Sequence, residues 1–112
     1  MAAKFEIKDA KGGQFVFNLK AANGEVILTS ETYKSKSGAA NGIESVRKNS
    51  QLDSAFKREV AKNGQHFFVL KAGNGEPIGK SETYTTDSAM ENGIASVKKN
   101  APDAKMDDLT AK

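Results

Sequence analysis

The chain writes one passage twice. Gly13 returns as Gly64, Tyr33 as Tyr84 and Asn49 as Asn100, each a step of 51 residues, and the step never changes. Leu19-Lys20-Ala21-Ala22-Asn23-Gly24-Glu25 becomes Leu70-Lys71-Ala72-Gly73-Asn74-Gly75-Glu76; Ser30-Glu31-Thr32-Tyr33 becomes Ser81-Glu82-Thr83-Tyr84. Asn41-Gly42-Ile43-Glu44-Ser45-Val46-Arg47-Lys48-Asn49 becomes Asn92-Gly93-Ile94-Ala95-Ser96-Val97-Lys98-Lys99-Asn100. This is a tandem duplication. Whatever one copy folds into, the other must follow. Each copy is short for a core of its own, so the two are expected to share one. The expectation is a single domain over 1–112, with repeats at 4–53 and 55–110.

The 112 residues are 38% hydrophobic and 28% charged, with no apolar run long enough to cross a membrane. Lys4, Glu6, Lys8 and Asp9 interrupt the N-terminal stretch, which leaves no signal-peptide core and points to the cytoplasm. Zero cysteines exclude disulfides and thiolate chemistry. The net charge of +3 is spread over both halves rather than gathered in a basic arm.

Lys4 to Asp9 alternates, with Phe5 and Ile7 on one side, as a half-buried strand does. Ala10-Lys11-Gly12 closes a three-residue hairpin loop with Gly12 left-handed, which sets Ile7 opposite Phe15 and Phe5 opposite Phe17. The next strand, Gln14 to Lys20, puts Phe15, Phe17 and Leu19 on one face. At Asn23-Gly24, a two-residue turn would pair Leu19 with Leu28. A three-residue loop, Ala22-Asn23-Gly24, pairs Leu19 with Ile27. Because Ile27 returns as Ile78 while Leu28 returns as Gly79, the three-residue loop is preferred.

After a third strand, Glu25 to Ser30, Ser35 or Ser37 can cap a helix with the apolar stripe Ala39, Ile43, Val46. Gly42 on that stripe implies close approach of the helix to the sheet, and Arg47 and Lys48 suit its C-terminal dipole. Asn49 can end it in a left-handed conformation. The second copy repeats the plan: a strand at Ala55 to Val60, the loop Ala61-Lys62-Asn63, strands at 65–71 and 76–81, and a helix opened by Thr86 with the stripe Met90, Ile94, Val97. Pro102 forbids its continuation, and Lys105 to Thr110 reads as a short last strand around Met106 and Leu109. Strands in runs separated by single helices predict an α+β fold.

The three ordered motifs, each present twice, resemble the YegP-like family of small bacterial proteins in its duplicated form. The resemblance covers nearly the whole chain. It implies two β(3)-α-β repeats in a single antiparallel sheet, both helices on one face, with C-terminal strands exchanged between repeats. It implies no activity, and no catalytic residue is carried over.

Among residues able to do chemistry, His66 is the lone histidine and is expected to face Arg58, a poor setting for a metal or a triad. The hydroxyls of Ser30-Glu31-Thr32-Tyr33 and Ser81-Glu82-Thr83-Tyr84 have no histidine to activate them. They fit backbone hydrogen bonds at a strand end, with the tyrosine packed over the core. Glu25 and Glu76 read as solvated turn residues, and no phosphate-loop pattern accompanies the Asn-Gly pairs. No enzyme, cofactor or metal site is expected.

Two surfaces remain. Arg47, Lys48, Lys98 and Lys99 would form two basic spots at the helix ends, able to contact phosphate, although helix-end charge is the ordinary reading. The sheet face away from the helices is expected to carry Val16, Val26, Leu28, Phe67 and Val69 beside Lys20 and Lys71. An uncovered face of that kind marks a contact surface; the alternative is that the termini or a wrapping of the sheet cover it. The sequence thus points to a non-enzymatic interaction or structural module with a protein partner, and alternatively to a weak sheet-surface binder of nucleic acid. No membrane is implicated. A monomer is expected, the apolar face leaving room for a dimer.

Overall fold

The computed structural model describes residues 3–110. Strands β1 (Lys4–Asp9), β2 (Phe15–Lys20) and β3 (Val26–Ser30) precede helix α1 (Lys36–Asn49). Then β4 (Phe56–Val60), β5 (His66–Lys71) and β6 (Pro77–Lys80) precede helix α2 (Asp87–Asn100), and β7 (Lys105–Asp108) follows. They form one α+β arrangement with a seven-stranded sheet in the order β4-β5-β6-β3-β2-β1-β7.

The two repeats meet where β3 pairs antiparallel with β6, and the pair there is Thr29 with Lys80, which are the same position of the two copies. A pseudo-two-fold axis therefore runs through the middle of the sheet. The sheet is antiparallel except at one edge, where β7 runs parallel to β1 of the other repeat. That strand passes between repeats in one direction only. The stretch of the first copy equivalent to β7 is taken up by the short turn Asp53–Ala55 and by β4 itself.

Phe5, Ile7, Phe17 and Leu19 from the first repeat and Phe56, Phe68 and Leu70 from the second face the helices in one buried cluster. Ala39, Ile43 and Val46 of α1 and Met90, Ile94 and Val97 of α2 close it. The apolar stripes thus do what their spacing implied. Ser35 and Thr86 cap the helices by accepting from Gly38 N and Ala89 N, each at 3.0 Å.

Registers within the hairpins differ from the expected ones. Ile7 pairs with Phe17 and Phe5 with Leu19, a slip of two residues, because the β1–β2 connection is longer and contains a 3₁₀ turn at Lys11–Gly13. A slip of two keeps every side chain on its face, so the core survives the change. In the β2–β3 hairpin the three-residue loop is present, with Ala21 N donating to Glu25 O and Gly24 at φ 87°. Beyond it the register shifts: Lys20 pairs with Val26 but Leu19 with Leu28, so Ile27 is the extra residue of a β-bulge. Leu28 consequently turns into the core, fully buried, instead of lying on the outer face. In β6 the same position is Gly79, whose missing Cβ would stand 2.7 Å from Thr29 O. The end of α1 is also different. Asn49 stays helical, Ser50 is the C-cap at φ −61°, and Asn49 Nδ2 donates back to Ser45 O and Oγ.

Gly42 and Gly93 are where each helix comes closest to its own repeat. A Cβ on Gly42 would lie 2.7 Å from Tyr33 Cζ and 2.8 Å from Phe17 Cε2; on Gly93 it would lie 2.9 Å from Tyr84 Cζ. Replacing glycine by alanine inside a helix normally gains about 1 kcal/mol. Here the methyl would displace the tyrosine ring, and overpacking of this kind costs about 1–3 kcal/mol. Gly42→Ala and Gly93→Ala should each lower the urea midpoint, and a raised midpoint in either would show that the ring yields freely.

Candidate functional site

The sheet face away from the helices is free of other elements among the described residues. Its middle row can be followed strand by strand from Lys57 through Val69, Lys80, Thr29 and Asn18 to Glu6. Val16, Val26, Phe67 and Val69 lie on it, half-buried. Asn18, whose Nδ2 donates to Thr29 Oγ1 at 2.9 Å, and Lys80 separate them. The continuous apolar patch expected there is therefore broken into separate small ones. The fully apolar surfaces lie elsewhere: Val60 at the β4 edge is 63% exposed, and Met106 and Leu109 at or beyond the β7 edge are about half exposed. What the outer face does concentrate is lysine. Lys4, Lys8 and Lys20 flank one end, Lys57, Lys71 and Lys80 the other, and Lys105 the β7 edge, against the carboxylates of Glu6, Glu59 and Asp107.

Glu6 organises one end of that face. It is only 4% exposed, although it faces outward, because lysine side chains cover it. Lys4 Nζ is 3.1 Å from Oε2; Lys20 Nζ is 2.9 Å from Oε1, close as a charge but not aligned as a hydrogen bond. Lys8 stands at 3.9 Å. Lys20 first, then Lys4, hold the carboxyl below the usual carboxylate range against the opposing cost of burial.

The helix-end cations divide into two kinds. Arg47 and Lys98, equivalent positions, are committed to the fold: the guanidinium lies 5.5 Å over the Phe5 ring and donates to Ala104 O at 2.6 Å. Lys98 Nζ lies 5.7 Å over the Phe56 ring and pairs with Asp53 at 2.9 Å. Lys48 and Lys99 are exposed and make no ion pair among the described residues. The four cations are thus not one phosphate clamp. Only Lys48 and Lys99 are free to meet a ligand.

Those two lysines belong to a site that spans the repeats. The hairpin tip of one repeat crosses the helix of the other, leaving a groove. The tip Ala21-Ala22-Asn23 faces Asn92, Ser96, Lys99 and Asn100 of α2. The tip Ala72-Gly73-Asn74 faces Asn41, Ser45, Lys48 and Asn49 of α1. These are the same positions in reciprocal pairing. The first groove continues through Ala21, Asn23 and Ser96 into a second compartment lined by Glu25, Ile27, Glu82, Thr83 and Tyr84. All three repeated motifs meet there. Burial pushes the Tyr84 phenol up, and the carboxylates of Glu82 and Glu25 add to it, so both stand within electrostatic reach of the ring.

The serines of the repeated tetrapeptide do what a strand end requires. Phe17 N donates to Ser30 Oγ at 2.8 Å and Ser30 Oγ donates to Glu31 O at 2.7 Å; Phe68, Ser81 and Glu82 repeat the arrangement. His66 pairs with Val60, not with Arg58, the same two-residue slip as in the first hairpin. Arg58 faces Phe68 instead and pairs with Glu91 of α2.

The Glu6 cluster makes a stability prediction. Its folded pKa lies below the ordinary 4.5, so its contribution is complete above that value and is lost as pH falls through the folded pKa. Glu6→Gln should cost roughly 1 kcal/mol or more near neutrality. The difference from wild type should shrink toward pH 3. An equal difference at both pH values in urea melts would show that packing, not charge, is at stake.

Comparison with known proteins bears on the whole chain. The family model described as a domain of unknown function, DUF1508, matches twice, over residues 10–56 and 61–108. A UPF0339 protein of Pseudomonas aeruginosa is 57% identical over 108 residues, covering 96% of this chain and 98% of that one. The solution structure of yegP from E. coli, a protein of unknown function, superposes with a TM-score of 0.93 at 46% identity, covering 100% of this chain and 97% of that chain. A UPF0339 protein from Shewanella oneidensis superposes at 0.91 with 49% identity, covering 98% of this chain and 93% of that one. The chain belongs to the YegP-like UPF0339 family, in the form that carries two DUF1508 units.

Proposed function

We propose that the protein is a non-enzymatic binding module whose ligand sites are the two grooves between hairpin tip and opposite helix. One observation carries this reading. Every polar residue lining the groove over α2 is identical in the other copy: Asn23 and Glu25; Glu82, Thr83 and Tyr84; Asn92, Ser96, Lys99 and Asn100. On the open sheet face Lys20 and Lys71 match, but elsewhere the copies have parted. Glu6 corresponds to Lys57, Lys8 to Glu59, Asn18 to Val69 and Thr29 to Lys80.

Packing between the repeats does not account for the identity. Asn23, Glu25, Glu82, Thr83, Asn92 and Lys99 are exposed, and no hydrogen bond among those described joins the tip to the helix. Nor does the arrangement suit nucleophilic catalysis. Ser96 Oγ accepts from Asn100 Nδ2 at 3.1 Å, and an amide activates no hydroxyl. One chain supplies both grooves, so the module works as a monomer, and we place it in the cytoplasm. No helix among the described residues is long and apolar enough to cross a membrane.

A second reading keeps the sheet face as the working surface. Its seven lysines against three carboxylates favour an acidic protein partner. Phe67 is the only aromatic residue on that face among the described strands, which is little for stacking single-stranded nucleic acid.

A titration of nitrogen-15-labelled protein with amino acids, short peptides, oligosaccharides, an acidic peptide and an oligonucleotide separates these readings. Ligand-induced shifts should fall on Asn23, Asn92, Ser96 and Lys99, and on Asn74, Asn41, Ser45 and Lys48. Shifts confined to Val16, Lys20, Phe67 and Lys71 would move the site to the sheet. A steep loss with salt would then mark nucleic acid.

A further inference from the structure

We infer that the groove over α2 takes an extended zwitterionic ligand of the short-peptide class, its carboxylate at Lys99 and its ammonium between Glu25 and Glu82. The inference rests on the groove reading above and assigns its chemistry.

The groove is polarised. Lys99 is the one cation among its lining residues, and its ammonium has no carboxylate partner among the described ones, whereas the neighbouring Lys98 is held by Asp53. In the other compartment Glu25 and Glu82 both line the wall beside Tyr84, and neither has a cationic partner among the described residues. A wall with two unpaired carboxylates favours a positive group, and an unpaired ammonium favours a negative one. Between the ends lies Asn92, whose amide makes no side-chain hydrogen bond among the described residues and can donate and accept as a peptide group does. Beside it is Asn100, whose Nδ2 is held by Ser96 but whose Oδ1 can accept; Asn23 is already bonded to Glu25 through both its side-chain atoms. Ala21, Ala95 and Ile27 supply an apolar lining between them.

The length fits a short peptide. Tyr84 lies against Gly93, and Lys99 comes six residues later on the same helix, a rise of about 9 Å. Three extended residues span roughly 10 Å. The two compartments, of about 460 Å³ and 390 Å³, share Ala21, Asn23 and Ser96 and so form one continuous groove. The twin over α1 repeats the lysine and amides at Lys48, Asn41, Asn49 and Asn74, and adds Glu44, paired with Arg47, where α2 has Ala95.

The test uses triglycine, N-acetyl-triglycine, triglycine amide and a neutral trisaccharide, each titrated into labelled wild type and Lys99→Gln. Free triglycine should shift Glu82, Asn92, Ser96 and Lys99. Blocking either end should weaken it about tenfold, the loss of one charge-assisted contact. Lys99→Gln should weaken free triglycine similarly while leaving triglycine amide unchanged. Shifts at Asn41, Ser45 and Lys48 of the twin should persist in this variant and report an intact fold. Equal binding of blocked and free peptides would overturn the polarity and leave the groove standing. Groove shifts from the trisaccharide alone would overturn the ligand class. No shift in either groove from any of the four would overturn the peptide assignment, and a wider panel without shifts would remove the grooves as well.

Discussion

The close approach of a tyrosine ring to a helix glycine holds each repeat together. Tyr33 stacks on Phe17, with ring centroids 6.0 Å apart, and fills the space that any side chain on Gly42 would need. Tyr84 does the same against Gly93. The ring can reach the helix only because the strand before it breaks off in order. Ser30 Oγ takes the Phe17 amide that a continuing strand would have taken, and two backbone bonds then pair Phe15 with Tyr33. The Ser-Glu-Thr-Tyr and Asn-Gly-Ile motifs are therefore one device: the first lifts the chain out of the sheet, and the second leaves room where it lands.

Duplication then sets what is symmetric and what is not. The axis passes through the Thr29–Lys80 pair, and the core residues, caps and tyrosines obey it. Departures from symmetry collect where the two copies have unlike neighbours. β7 has a place beside β1, but the equivalent edge at β4 has no such strand. Leu28 fills core space while Gly79 lets β6 lie close to β3. Cation–aromatic contacts survive the divergence of the cation itself, Arg47 over Phe5 and Lys98 over Phe56. At that position, charge over an aromatic ring is what both copies share.

Much of this was legible in the residues. The period of the stripes at Ala39-Ile43-Val46 and Met90-Ile94-Val97 reports one buried helix face each, and the capping positions follow from hydroxyl chemistry. Register was less legible, because a slip of two in an alternating strand leaves every side chain on its own face and so leaves no trace in the pattern. The bulge at Ile27 was hidden for a related reason: Ile27 and Leu28 are both apolar, and both are buried. A bulge can send adjacent residues to one side, which alternation does not allow. The buried Glu6 was also not legible, since its covering lysines come from β1 and β2 together.

The grooves were the least legible feature, though their residues stood in plain view as the repeated motifs. Within one copy, Asn23 and Asn41 look like a turn residue and a helix-surface residue. Only the crossing of repeats brings Asn23 to Asn92 and Asn74 to Asn41. The usable signal was identity at exposed polar positions that neither turn geometry nor core packing requires. Turn geometry explains Asn23 and Asn74, whose side chains accept from the amides of Glu25 and Glu76. It does not explain Lys48 and Lys99, Asn41 and Asn92, or Glu31 and Glu82. A solvated lysine, asparagine or glutamate on a helix or loop exchanges freely with other polar residues at a cost within about 0.5 kcal/mol. The sheet face shows that freedom, with Glu6 against Lys57 and Lys8 against Glu59. Apart from Glu44 against Ala95, the polar groove residues do not, and a ligand held between tip and helix is the constraint that would keep both copies the same.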